Sequence, residues 1–107
     1  MSDANHAHVM AFLDDFHVAG TPDFDKLASY FSADGWYQPL VPATPRIEGR
    51  GAIAAALEKQ YRTYYECRCE IHASAAMGRF VFTERTDHVT LHADDRKVGS
   101  RVCAVFE

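Results

Sequence analysis

Val9, Phe12, Leu13 and Phe16 recur at three- and four-residue spacing, the period of one helix face, and predict an amphipathic helix over roughly residues 4–18. Gly20 follows as its C-terminal stop. Thr21-Pro22-Asp23 reads as a second helix start, with Thr21 as cap, Pro22 in the first turn and Asp23 against the helix dipole. That helix packs Phe24, Leu27, Tyr30 and Phe31 and ends near Ser32-Ala33-Asp34-Gly35. Trp36 to Leu40 reads as a short strand. Val41-Pro42-Ala43-Thr44-Pro45 cannot pair regularly and is a loop. Arg46-Ile47-Glu48 leads into Gly49-Arg50-Gly51, after which Ile53, Ala56, Leu57 and Tyr61 mark a third helix.

Beyond about Tyr65 the period changes to two. Cys67, Cys69, Ile71 and Ala73 alternate with Glu66, Arg68, Glu70 and His72, as expected of a half-buried antiparallel strand. Met77-Gly78-Arg79 turns the chain into a long strand from Phe80 to His92, Ala93 to Lys97 is a polar turn, and Val98 to Glu107 is a further strand. Helices first and long strands afterwards imply an α+β domain, its curved antiparallel sheet wrapped around three N-terminal helices. The 107 residues give room for one core and one domain, residues 1–107. The sequence stops inside an apolar strand, so a last strand is expected to be missing, or a partner chain to cover the edge.

Composition narrows the function classes. Hydrophobic residues make up 48% of the chain and charged residues 24%, a globular balance. The net charge of −4 and the scattered basic residues exclude a nucleic-acid footprint. No apolar run of about 18 residues is present to span a membrane. The first eight residues lack the basic-then-apolar order of a signal peptide, so a cytoplasmic location is expected. Cys67, Cys69 and Cys103 are read as reduced, small hydrophobes, since one C-x-C pair without a second is weak evidence for a metal.

The chemistry concentrates on the strand from Phe80 to His92. Alternation puts Val81, Thr83, Arg85, Asp87, Val89 and Leu91 on one face, and Phe80, Phe82, Glu84, Thr86, His88 and Thr90 on the other. The first set is apolar at both ends with a cation and an anion between. Burying either charge alone is costly, and pairing lowers the cost. Residues two apart on a strand stand about 6.5–7 Å apart at the backbone. The two heads therefore meet by bending together, or share a third group. A structural ion pair and a functional site both fit this pattern.

The segments Phe31-Ser32-Ala33-Asp34-Gly35-Trp36-Tyr37, Glu48-Gly49-Arg50-Gly51-Ala52-Ile53, Phe82-Thr83-Glu84-Arg85-Thr86-Asp87 and Val102 to Glu107 resemble the limonene-1,2-epoxide hydrolase family. That family sits in the superfamily named for nuclear transport factor two, with ketosteroid isomerase and SnoaL-like polyketide cyclases as relatives. The resemblance covers about Phe12 to Glu107. It implies a cone-shaped, cystatin-like α+β barrel and a homodimer formed through the convex sheet face, where Phe80, Phe82, Glu84 and His88 lie. It also implies hydrolysis of a small apolar epoxide without metal or organic cofactor, by two aspartates bridged by an arginine, with a tyrosine and an asparagine placing the water. Arg85 matches the arginine, Asp87 the acid aspartate and Tyr37 the tyrosine. The asparagine position falls at Pro39, and the second aspartate belongs on a strand after Glu107. Without a second carboxylate, Arg85 is expected to keep Asp87 ionised, a poor acid and a serviceable base. Two further readings follow. One is a lyase, cyclase or isomerase with Asp87 as general base, and the other a non-catalytic pocket or dimerisation module.

Remaining candidates are weaker. His88 and His92 are four apart on one strand, about 13 Å, too far to share a metal, although His72 can approach one of them from the neighbouring strand. His6 and His8 are expected to be solvated. No nucleophile elbow and no phosphate-binding glycine loop occurs. Phe12, Phe16, Trp36, Phe80 and Phe82 are assigned to the core, and Tyr37 to a pocket wall, where its hydroxyl needs a partner.

Overall fold

A computed structural model of the chain describes residues 2–107. Two helices, α1 (Ser2–Phe16) and α2 (Phe24–Ser29), precede two short strands, β1 (Trp36–Tyr37) and β2 (Ile47–Glu48), and a third helix, α3 (Arg50–Tyr61). Three long strands follow: β3 (Tyr64–Met77), β4 (Phe80–Leu91) and β5 (Lys97–Phe106). β3, β4 and β5 form a curved antiparallel sheet in that order, joined by tight turns, and β1 pairs with β2 separately. At the first of these turns Gly78 has φ +59, a left-handed conformation that favours glycine.

The helix spacing translates directly into packing. Leu27, Ala28, Ile53 and Leu57 are buried together where α2 meets α3, with Phe12, Phe16, Phe31 and Tyr37 around them. Val9 and Leu13 of α1 pack on Val81, which anchors α1 to the inner face of the sheet. The two clusters share Phe12, so helices and sheet form one core.

Several expectations shift. The cap of α2 is Asp23, not Thr21: its carboxylate accepts from the Lys26 N–H at 3.1 Å, and α2 begins at Phe24. A carboxylate supplies both a hydrogen-bond acceptor and a charge that suits the helix dipole. The strand expected from Trp36 to Leu40 ends at Tyr37, and Ile47–Glu48, read as a lead-in, is its partner. Register shifts between Tyr65 and Arg68 and between Ile71 and Ala73 interrupt β3. The second leaves His72 as the extra residue and puts Ala73 opposite Glu84, on the outer face rather than beside Ile71. Thr90, placed outward by period two, is 4% exposed and donates to Glu66, which lies in the first irregularity with φ +55.

Candidate active site

Arg85 and Asp87 sit on the inner face of β4. Cross-strand partners Ile71 and Cys69 flank them from β3, and Val102 and Ser100 from β5. The backbone gap is closed by the side chains bending together: Arg85 Nε donates to Asp87 Oδ1 at 2.9 Å. Arg85 Nη1 donates to the buried Thr83 hydroxyl at 2.8 Å, so three alternate residues of one strand are linked in line. Side-chain exposure is 11% for Arg85 and 21% for Asp87, so both charges are only partly open to water.

A third group shares the carboxylate. His17 Nε2 lies 3.3 Å from the same Oδ1, and its side chain is 4% exposed. The end of α1 explains how it is held. The last carbonyls of a helix lack intrahelical partners. Here Leu13 O accepts from the His17 backbone N–H at 3.0 Å and faces His17 Nδ1 at 2.8 Å. Phe16 O accepts from the Tyr61 hydroxyl, and Val18 O accepts from the Cys67 N–H at 3.2 Å. Bonds from α3 and β3 thus fix the chain on both sides of His17.

Tyr37 reaches the same region from β1. Gln60 Nε2 of α3 donates to its hydroxyl oxygen at 2.7 Å, and Gln60 Oε1 accepts from the Tyr64 hydroxyl at 3.3 Å. Because the Tyr37 oxygen is the acceptor, its own O–H remains available to donate. Burial raises the Tyr37 pKa above the usual phenol value against the opposing Gln60 bond, and the charges of Arg85 and Asp87 both act on it. Tyr64 is pushed up too, first by burial.

The electrostatics of Asp87 are a contest. Burial raises its pKa, but the hydrogen bonds from His17 and Arg85, reinforced by the two charges, outweigh burial and bring it below the ordinary carboxylate value. Cys69, opposite Asp87, moves the other way: burial first, then the Asp87 charge, push its thiol up to about 11. His17, Cys69 and Asp87 offer ligand atoms within 4.8 Å of one another. Their chemistry does not suit a cation, since a guanidinium already occupies the carboxylate and the thiol resists ionisation.

The structure therefore gathers the three sequence candidates Tyr37, Arg85 and Asp87 and adds His17, Gln60, Tyr64 and Thr83. The signal for His17 and Gln60 was present. His17 continues the Val9–Leu13 stripe of α1 and Gln60 the Ile53–Ala56–Leu57 stripe of α3, so each is a polar residue at an apolar position. The other histidines do not gather. His72 bonds the Thr86 hydroxyl at 2.7 Å, His88 bonds Glu70 at 3.1 Å, and His92 stacks on Tyr65. His6 and His8, expected to be solvated, bond Ser74 and the Tyr30 carbonyl, each at 2.9 Å. Trp36, assigned to the core, is 42% exposed under the Arg46 guanidinium. Phe82 is exposed as well, at 37% on the outer face. Two open depressions, one lined by Asp15, Thr21 and Lys26, the other by Glu66, Arg68 and Lys97, have neither Arg85 nor Asp87 in their linings.

A family model described as a SnoaL-like domain matches residues 9–107, and the chain belongs to that family. Among solved structures it is similar to an LEH-like epoxide hydrolase of M. tuberculosis, with 28% identity and TM-score 0.76 over 99% of this chain and 74% of that one. A protein of ketosteroid isomerase-like fold from Catenulispora acidiphila, solved with trimethylamine, matches at 17% identity and TM-score 0.78, over 92% of this chain and 72% of that one. A SnoaL-like polyketide cyclase, so described, from Shewanella putrefaciens matches at 15% identity and TM-score 0.73, over 95% and 75% respectively. These last two show the fold alone. A search of curated proteins finds no match.

Proposed function

We propose that this chain is an acid–base enzyme acting on a small apolar molecule, and that its reaction is the addition of water to an epoxide. The observation that carries the reading is the 2.9 Å Arg85–Asp87 bond on the inner sheet face, with Tyr37 near enough for both charges to act on it. Similarity to the LEH-like epoxide hydrolase of M. tuberculosis at 28% identity supports it. Water attacks one epoxide carbon and forms the new C–O bond. The old C–O bond breaks, and its electron pair stays on oxygen, which takes up a proton. Arg85 fixes the carboxyl of Asp87, through which the proton lost by the attacking water reaches that oxygen. Tyr37 stays a neutral phenol at neutral pH, because burial holds its pKa up, and donates a hydrogen bond that places the water.

A second reading draws on the lowered Asp87 pKa, which makes the resting group a carboxylate. A carboxylate is suited to abstracting a proton from a ketone, in an isomerisation or cyclisation. The two readings are separated by assay. A panel of terpene and cyclohexene epoxides is expected to be hydrolysed, with Asp87→Ala reducing turnover by roughly 10²-fold or more. A protein that turns over no epoxide, yet acts on a ketone with a single low-pH limb, has the second activity instead.

A further inference from the structure

We propose that His17 is the positioning residue that holds the proton Asp87 needs, so that His17 and Asp87 work as one singly protonated pair. The inference deepens the epoxide-hydrolysis reading and rests on it.

The argument begins with atoms. Leu13 O is an acceptor only, so the nitrogen facing it at 2.8 Å, Nδ1, carries a hydrogen. Nε2 faces Asp87 Oδ1 at 3.3 Å. If Nε2 bore a lone pair and Asp87 were ionised, two lone pairs would oppose each other in a buried place. One proton therefore sits between them. Arg85 Nε donates to the same oxygen and favours the ionised carboxyl, which puts the proton on Nε2 and makes His17 an imidazolium. The C-terminal end of a 15-residue helix also favours a cation there. The titratable and charged groups that bear on the pair are Arg85 on β4, Cys67, Cys69 and Tyr64 on β3, and Tyr37 on β1, with Asp14 of α1 acting on Cys69. Of these Arg85 alone opposes a positive His17.

The consequence is chemical. Arg85 denies Asp87 a proton, but one lies a single hydrogen bond away. As charge builds on the epoxide oxygen, a proton passes from Nε2 to Asp87 and from Asp87 to that oxygen. His17 becomes neutral with Nδ1–H still on Leu13 O, and the proton lost by the attacking water returns to the pair. The site then needs one carboxylate and one imidazole.

Ring nitrogen NMR of the whole chain, labelled at histidine, tests this without any substrate. At neutral pH both His17 nitrogens should read as protonated in the wild type, and Asp87→Asn should return the neutral Nδ1–H form. A neutral His17 in the wild type overturns the proposal. The kinetic arm uses His17→Gln, whose amide can still donate to Asp87 but carries no proton to give. Its kcat should fall by roughly 10²-fold with little change in KM, and the alkaline limb of the wild-type pH profile should disappear. Wild-type kcat in a folded His17→Gln protein also overturns it. If the wild type turns over no epoxide, the hydrolase reading fails by itself, and the ring nitrogens still decide whether the pair exists.

Discussion

At the level of single residues, the site is a competition over one carboxyl group. Burial favours a neutral Asp87, and His17 and Arg85 together prevail. A carboxyl whose pKa is lower folded than unfolded adds stability that is present above the unfolded value. That stability is lost as pH falls through the folded value. Wild-type protein should therefore lose more unfolding free energy than Asp87→Asn between about pH 6 and about pH 3, a window that opens above the ordinary carboxylate pKa of about 3.9 and closes below it. Urea midpoints of both proteins at the two pH values check this, and equal losses would contradict it. Asp15, Glu70 and Glu84 also have lowered values, so the difference between the two proteins, rather than either slope, carries the information. Arg85 and Asp87 were legible because period two leaves two charges little choice of face. His17 showed only as a polar residue on an apolar stripe, and its carboxylate partner, 70 residues distant, is brought to it by tertiary contact alone.

Among the elements, local sequence rules identified the helices and long strands but misplaced details that depend on one side chain. Asp23 takes the cap because its carboxylate reaches Lys26 N–H, whereas Thr21 stands two residues too early. Asp23→Ala should cost about 1 kcal/mol, read from chemical unfolding, with Thr21→Ala nearly neutral. A larger loss from Thr21→Ala would reverse the assignment. The extra residue in β3 was unreadable for a different reason. His72 continues a regular polar–apolar alternation in sequence, and only the pairing of Ala73 with Glu84 rather than Thr83 reveals the slip. Two-residue strands such as Ile47–Glu48 carry too few positions to show any period.

For the molecule as a whole, the order of helices and strands conveyed the architecture well, since consecutive hairpins leave few topologies open. Assembly is a separate question. Phe82 is 37% exposed and Val105 66% exposed at paired positions on the outer face of the sheet, beside the Arg101–Glu84 ion pair. Such a face, apolar with a polar margin, suits a second copy of the chain. Sedimentation should give twice the chain mass of 12.0 kDa, and Phe82→Glu should halve it. A wild-type monomer at micromolar concentration would end that expectation.

The stitching of α1 at its end, by Leu13, Phe16 and Val18 carbonyls, makes the first helix a lever on the chemistry. Among the described residues, the imidazole bonds no group of the sheet other than the carboxylate it serves. Any change that tilts or frays this helix, including a tag fused ahead of Ser2, would pull a ring away from Asp87 while leaving Arg85 and Tyr37 in place. Placing affinity handles after Phe106 rather than before α1 keeps that ring where the strand expects it.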